Sequence, residues 1–286
     1  MHPPFFYQIF NKFLNSYSSN VSNTNGPKTT FTLKEFVFRV HLVEILHLQM
    51  RSILYVILLV IFQSCASQAK PILIDSEMET NVKENLAYYL YYPEDYEEEP
   101  EKDFPLLLFL HGGGESGDSL VTVKRNGPPK LIVQGKKFPF LILAPQNPNA
   151  KKWWNTRAVK QLLDSIVDNN RIDKRRIYLT GLSRGGGAAW ELAVQYPDTF
   201  AAMAVVCGMT PLPYASWINR DMPIWVFHGE KDKSIPFSES ETMVAKLKEM
   251  GYEVIFTRYP NVGHSAWIKA YETEALYDWF MNQELK

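Results

Sequence analysis

The sequence predicts an α/β fold, with a mostly parallel central sheet, helices on both faces and no large lid. Three observations lead there. Short apolar and β-branched runs alternate with stretches of helical period, the pattern of strands joined by crossover helices. One such run, Ile177-Tyr178-Leu179-Thr180, feeds directly into Gly181-Leu182-Ser183-Arg184-Gly185, and a helix-compatible segment through Ala193 follows. Ser183, Asp232 and His264 then succeed one another along the chain, each just past a strand-like run. In open sheets of this kind ligands bind beyond the carboxyl ends of the strands, so all three would share one edge.

Taken in order, Leu86–Tyr92 reads as an early strand. The acidic run Glu94–Glu101 reads as a solvated hairpin connection. Phe104–Leu110 is unbroken and apolar, as expected of a strand buried on both faces. A Gly-rich turn, His111-Gly112-Gly113-Gly114-Glu115, follows it, and Asn126-Gly127-Pro128-Pro129 reads as a loop. Phe138–Pro145 is a third strand, stopped by proline. From Arg157 to Asn169, Val159, Leu162, Leu163, Ile166 and Val167 share one helical face. After the strand before Ser183 and a helix to Gln195, strands are expected at 201–207, 224–228 and 253–259. Ser238–Met250 is an amphipathic helix with Gly251 as its stop, and one last helix runs from about Ala270 to Gln283. Between Gly208 and Pro223 only Met209–Met222 remain, room for one short helix, so the site should be open to water.

The strand–turn–helix setting of Gly-x-Ser-x-Gly is that of a nucleophile elbow. The pentapeptide alone turns up by chance in roughly one chain in ten of this length, so the setting carries the case. A sharp turn strains the serine and leaves no space for side chains two residues away, which Gly181 and Gly185 provide. A serine hydroxyl needs a base and a group to orient that base. Past residue 65 the histidines are His111, His228 and His264, and the first two read as structural. Asp232 and Glu230 compete for the acid in one loop. The backbone N–H of Arg184 would face developing negative charge, while its side chain reads as a loop brace. Trp154, with its neighbour Trp153, and Trp267 are candidates for the cleft lining.

With these motifs in this order, the sequence resembles the α/β-hydrolase family over about residues 82–286. The likeness is to the single-domain carboxylesterase, phospholipase-like and prolyl-oligopeptidase-like group. Leu110–Asp118 and Asn126–Pro129 look most like secreted bacterial esterases of the feruloyl and polyhydroxyalkanoate-depolymerase type. The resemblance implies Ser183 as nucleophile, His264 as base, Asp232 as acid in a Gly-x-x-Asp pattern, and Gly113, with Gly114 as the alternative, as the second oxyanion donor beside Arg184. It implies a serine hydrolase of carboxylic esters, small and soluble or carbohydrate-linked. A prolyl-oligopeptidase-type peptidase and an inactive surface-binding module are the alternatives.

Composition narrows the rest. A net charge of −1 leaves no electrostatic footprint for nucleic acid. No metal-ligand spacing, phosphate loop or dinucleotide fingerprint is present, so no cofactor is expected. Met50-Arg51-Ser52 and an apolar run to Phe62, then Gln63-Ser64-Cys65, read as a secretory signal with a lipobox-like Cys65 as lipidation site. Residues 1–49 read as a non-native upstream extension or disordered segment, 50–65 as the signal, and 66–286 as the domain. That arrangement predicts an exported lipoprotein, periplasmic or at the cell surface, or a secreted protein, with membrane contact by lipid anchor only. A monomer or weak dimer is expected. Cys207 would remain as a small buried hydrophobe, without a disulfide.

Overall fold

The structure, a computed structural model, describes residues 49–52, 72–79 and 84–286. By internal contacts the chain falls into two units, Met1–Gln68 and Ala69–Lys286. In the first unit, residues 49–52 are helical, and the apolar stretch and Cys65 assigned to a signal lie outside the described residues. Among the described residues, no helix is long and apolar enough to cross a membrane.

The second unit is built on eight strands: β1 Ile72–Glu79, β2 Asn85–Tyr92, β3 Phe104–Leu110, β4 Leu141–Pro145, β5 Ile172–Leu182, β6 Ala202–Val206, β7 Ile224–Gly229 and β8 Val254–Tyr259. The helices are α1 Gly127–Val133, α2 Thr156–Asn169, α3 Arg184–Gln195, α4 Phe237–Glu249, α5 Trp267–Glu272 and α6 Glu274–Met281. The sheet order is β1-β2-β4-β3-β5-β6-β7-β8. The β1–β2 and β2–β4 pairs are antiparallel, and the rest are parallel.

Alternation along β3 divides the core into two layers. Leu106, Leu108 and Leu110 pack with Leu162 and Leu163 of α2, Trp190 of α3 and Leu247 of α4. Leu107 and Phe109 face the other way, toward Ile132 of α1, Tyr271 of α5 and Phe280 of α6. Every residue of β3, β4 and β6 is buried, which is why these strands read as unbroken apolar runs.

Several elements differ from the sequence expectation. β1 was not anticipated. The acidic stretch 94–101 is no hairpin, since β4 lies between β2 and β3 in the sheet. Its charges are partly paired, Lys102 with Asp95 at 2.8 Å and Lys137 with Glu94 at 2.7 Å. Phe138–Phe140 precede β4 off the ladder, where the Phe138 N–H donates to the Tyr91 hydroxyl at 3.1 Å. Asn126–Pro129 is the start of helix α1: Gly127 takes φ +65°, where a Cβ would lie 2.4 Å from the Phe109 ring. Pro128 and Pro129 then occupy first-turn positions, where the missing N–H costs nothing. The last helix breaks at Thr273, whose ψ of 108° is extended. The Thr273 hydroxyl donates to the Lys269 carbonyl at 2.9 Å, and the Tyr277 hydroxyl to that of Tyr271 at 2.7 Å, so carbonyls freed by the break keep partners.

Trp154 is also corrected. It is 4% exposed and lies against the wholly buried His111, ring centroids 4.7 Å apart, so it belongs to the core and not to a cleft. His111 Nδ1–H donates to the Gly112 carbonyl at 2.7 Å, and Nε2 accepts the Asn147 N–H at 3.0 Å. This neutral imidazole ties the Gly-rich turn to the loop after β4. Burial lowers its pKa to about 4.

Two expectations follow. A Cβ on Gly185 would sit 2.1 Å from the Leu110 carbonyl oxygen, whereas one on Gly114 meets nothing within 4 Å. Gly185→Ala should therefore cost about 2 kcal/mol or more, lowering the melting midpoint by roughly 5 °C, while Gly114→Ala melts with the parent. The second concerns acid. An unfolded His titrates near 6.5, so between about 6.5 and 4 the unfolded chain binds a proton that folded His111 refuses. The stability is complete above that window and declines as pH falls through it. Melts from pH 8 to 4 should show this slope, and His111→Gln should make it shallower by one proton's share, the buried His228 keeping its own.

Candidate active site

Ser183 stands between β5 and α3 with φ +52° and ψ −118°, left-handed backbone that a side chain rarely adopts. Its neighbours hold it there. The Ser183 N–H donates to the Val206 carbonyl at 2.9 Å, and its carbonyl accepts the Gly187 N–H at 3.0 Å. A Cβ on Gly181 would lie 2.3 Å from the Gly185 carbonyl oxygen, so both glycines are required by contact. The result is a hydroxyl raised at the N-terminus of α3.

His264 opens a short turn after β8, and its Nε2 lies 2.9 Å from Ser183 Oγ. Its Nδ1 is 2.7 Å from Asp232 Oδ2, in the turn after β7. The Asp232 side chain has no exposure, and its Oδ1 accepts the N–H groups of Ser234 at 2.8 Å and Ile235 at 3.0 Å. Burial alone would raise its pKa, but His264 and those two N–H groups outweigh it and hold the carboxyl below the usual range. An ionised carboxylate only accepts, so Nδ1 carries the hydrogen and Nε2 is free to accept the serine proton. The arrangement can move a proton off Ser183 while its charge is balanced from behind.

Glu230, the competing acid, takes no part: it pairs with Arg258 at 2.9 Å on the surface. His228 is wholly buried, as the structural reading expects, but its Nε2 is 3.2 Å from Asp232 Oδ2. Sequence reasoning gave no sign of that contact.

The Gly-rich turn lies alongside Ser183. A Cβ on Gly112 would be 3.5 Å from Ser183 Cβ, and one on Gly113 would be 3.0 Å from Arg184 Nη2. Arg184 is the first residue of α3, so its N–H has no partner within the helix and the dipole adds positive potential there. The Arg184 guanidinium donates to the carbonyls of Ala150 at 2.9 Å and Lys152 at 3.3 Å, the loop brace expected of it.

Trp267 borders the site. Its ring meets that of His264 edge-on at 5.1 Å, and its Nε1–H donates to Asn126 Oδ1 at 3.0 Å. Asn126 in turn donates to the buried Glu115 carboxylate, linking the Gly-rich turn to α5. Trp153, and not Trp154, lines a groove of about 470 Å³ with Gly187, Glu191, Met209 and Tyr214. Its Nε1–H donates to Glu191 at 2.8 Å, which fixes the plane of the indole. Nothing in the Trp-Trp pair distinguishes which ring faces outward.

Among the described residues, one group of potential metal ligands, Cys207, Asp232 and His264, lies within 4.8 Å. Burial pushes the Cys207 thiol far up in pKa, and its Sγ–H donates to the His264 carbonyl at 3.3 Å. A protonated thiol and an engaged Nδ1 suit a proton relay better than an ion.

Comparison with known proteins agrees with this architecture. The sequence pattern of the dienelactone hydrolase family matches residues 147–276. An acyl-protein thioesterase 1 of Gibberella zeae is 25% identical over 211 residues, 56% of this chain and 83% of that protein. A probable carboxylesterase of Arabidopsis thaliana is 26% identical over 211 residues, 60% of this chain and 76% of that protein. The crystal structure of a thermostable esterase superposes with a TM-score of 0.65 at 28% identity, covering 74% of this chain and 63% of that one. The chain thus spans less than two thirds of that esterase's length. Fold, site geometry and relatives converge: the chain has the fold of the α/β-hydrolases, and over most of its second unit it is similar to carboxylesterases, acyl-protein thioesterases and the dienelactone hydrolase family.

Proposed function

We propose that this hydrolase works through an acyl-enzyme on Ser183, with His264 as base and Asp232 as the acid that orients it. The observation that carries the reading is the unbroken hydrogen-bonded line from Ser183 Oγ through His264, at 2.9 Å, to a buried Asp232, at 2.7 Å. Ser183 Oγ attacks the ester carbonyl as His264 Nε2 takes its proton. The oxyanion is met by the backbone N–H groups of Gly113 and Arg184. His264 returns the proton to the departing alcohol, and a water deprotonated by the same nitrogen then releases the acid. Asp232 stays ionised throughout and balances the imidazolium.

The substrate is an ester that reaches an open site, small and soluble or attached to carbohydrate. Two features support this. The connection Met209–Met222 holds only the short 3₁₀ turn Leu212–Ser216 where a helical lid would sit. The groove beside α3 offers an indole and a phenol, Trp153 and Tyr214, to a group that emerges from the site. Export with lipidation of Cys65 is part of the proposal, supported by the basic start, short apolar run and Ser64-Cys65 of the sequence.

Ser183→Ala should abolish hydrolysis of p-nitrophenyl acetate and labelling by a fluorophosphonate, with an unchanged melt. Adding His264→Ala should cost little more, because such residues act as a unit. Label on Ser116 or Ser234 would disprove the assignment. Asp232→Asn should lower kcat by on the order of 10⁴, the loss seen for the equivalent change in a serine protease. Glu230→Gln should leave kcat within about twofold, as befits an exposed ion pair. A panel of p-nitrophenyl esters, feruloyl sugars and proline peptides should show turnover of the esters only. In a bacterial host, Cys65→Ser should move the enzyme from the detergent phase to the soluble or unprocessed fraction. A native N-terminus at Ala66 without lipid mass would defeat the lipoprotein reading.

A further inference from the structure

His228 is a buried imidazole that the acyl-transfer steps above do not use. It ends β7, has no exposure, and Phe237 of α4 closes over it edge-on at 5.7 Å. Its ring nitrogens have three partners. Nε2 is 3.1 Å from the Ile235 carbonyl oxygen and 3.2 Å from Asp232 Oδ2, while Nδ1 is 2.7 Å from Ser240 Oγ. Two of these are pure acceptors on the same nitrogen, so Nε2 must carry the hydrogen. Burial lowers the ring's pKa, which keeps it neutral, so Nδ1 has only a lone pair and Ser240 must donate to it. Ser240 is itself 2% exposed and reaches His228 from α4. The tautomer is therefore fixed by its surroundings.

Asp232 Oδ2 consequently accepts the His264 Nδ1–H at 2.7 Å and lies 3.2 Å from His228 Nε2, whose single N–H it shares with the Ile235 carbonyl at 3.1 Å. The other oxygen receives two backbone N–H groups, from Ser234 and Ile235. The backbone pair fixes one end of the carboxylate. His228 fixes the other end and sets how much charge Oδ2 presents to His264. The groups facing His228 are Asp232 from the turn after β7, His264 beyond it, and Ser240 and Phe237 from α4.

We propose that His228, oriented by Ser240, is a positioning residue that holds Asp232 Oδ2 on the Nδ1–H of His264 and moderates its basicity. The proposal rests on the acyl-enzyme reading above. Removing the His228 donor has two consequences. The carboxylate can turn away from Nδ1, which slows the chemical step. Its Oδ2 also loses a donor and becomes more basic, so the Asp232–His264 pair as a whole holds its proton more tightly and the acid limb of the rate profile moves to higher pH.

The test uses steady-state kinetics on p-nitrophenyl acetate from pH 5 to 9 with the full chain. His228→Met fills a similar volume without a donor, and His228→Gln can return an N–H to the position of Nε2. His228→Met should lower kcat by about tenfold, the smaller end of what outer partners of metal-bound histidines cost. Its KM should be unchanged, and the acid limb of kcat/KM should move to higher pH. His228→Gln should recover most of both. A His228→Met enzyme with wild-type kcat and acid limb would overturn the proposal even if its melting midpoint dropped, because a merely structural role moves only the melt. Equal losses in Met and Gln would overturn it too. Should His228→Met fail to fold, Ser240→Ala decides: the acid limb must move the same way with a smaller loss of kcat, and an unmoved limb rejects the idea. Ser183→Ala run alongside separates the two levels. If it keeps activity, the acyl-enzyme reading fails; if it is inactive while His228 variants behave as wild type, only the role of His228 fails.

Discussion

The site depends on one steric constraint, the approach of three backbones at the turn between β5 and α3. Gly181, Gly185 and Gly208 lie where a Cβ would come within 2.6 Å of another main chain. Their bareness lets α3 press against the ends of β3 and β6. That pressure keeps Ser183 at a positive φ which the residue alone would leave, since the strained form costs on the order of 1–3 kcal/mol. Its N–H on Val206 and its carbonyl on Gly187 close the arrangement. The Gly-rich turn after β3 is set by the same contact, because Gly185 touches the carbonyls of Leu110 and His111. The hydroxyl and the turn beside it are thus located by a single packing event.

The rest of the site comes to that point through the sheet. Residues 183, 232 and 264 meet because β5, β7 and β8 run parallel and end on one edge. The carboxylate between them is buried, and a buried charge is tolerable only when its lone pairs are met. Asp232 meets that condition with N–H donors on both oxygens.

Much of this was legible in the chain. Strands buried on both faces announced themselves as unbroken apolar runs, and Gly-x-Ser-x-Gly gave Ser183 because its steric requirement is local. Asp232 and His264 followed from order along the chain, since each lies in the turn after a strand. What stayed hidden depends on neighbours remote in sequence. β1 carries Ile72, Ile74 and Met78 in alternation, a signal that its acidic residues at 75, 77 and 79 obscured. The helix at Gly127 needed knowledge that Phe109 lies beneath it. The break at Thr273 depends on bonds that Lys269 and Tyr271 accept. Trp153 and Trp154 are adjacent and chemically alike, and only His111 on one side and Glu191 on the other decide which is core. The His228–Asp232 contact spans one turn of loop, but whether a histidine there faces the acid or solvent is set by Ser240 on another helix.

The Trp153 groove has a different origin from the proton relay. Its walls come from the loop after β4 and the segment after β6, and the indole is held by Glu191, two turns along α3 from Ser183. The relay comes from the turns after β5, β7 and β8. Because the two sets share almost no residues, drift in the loop sequences can reshape what the groove admits while the relay is preserved. On the proposed function, the separation makes selectivity the property that changes in those two loops would alter first, with the Ser183–His264–Asp232 line left as it is.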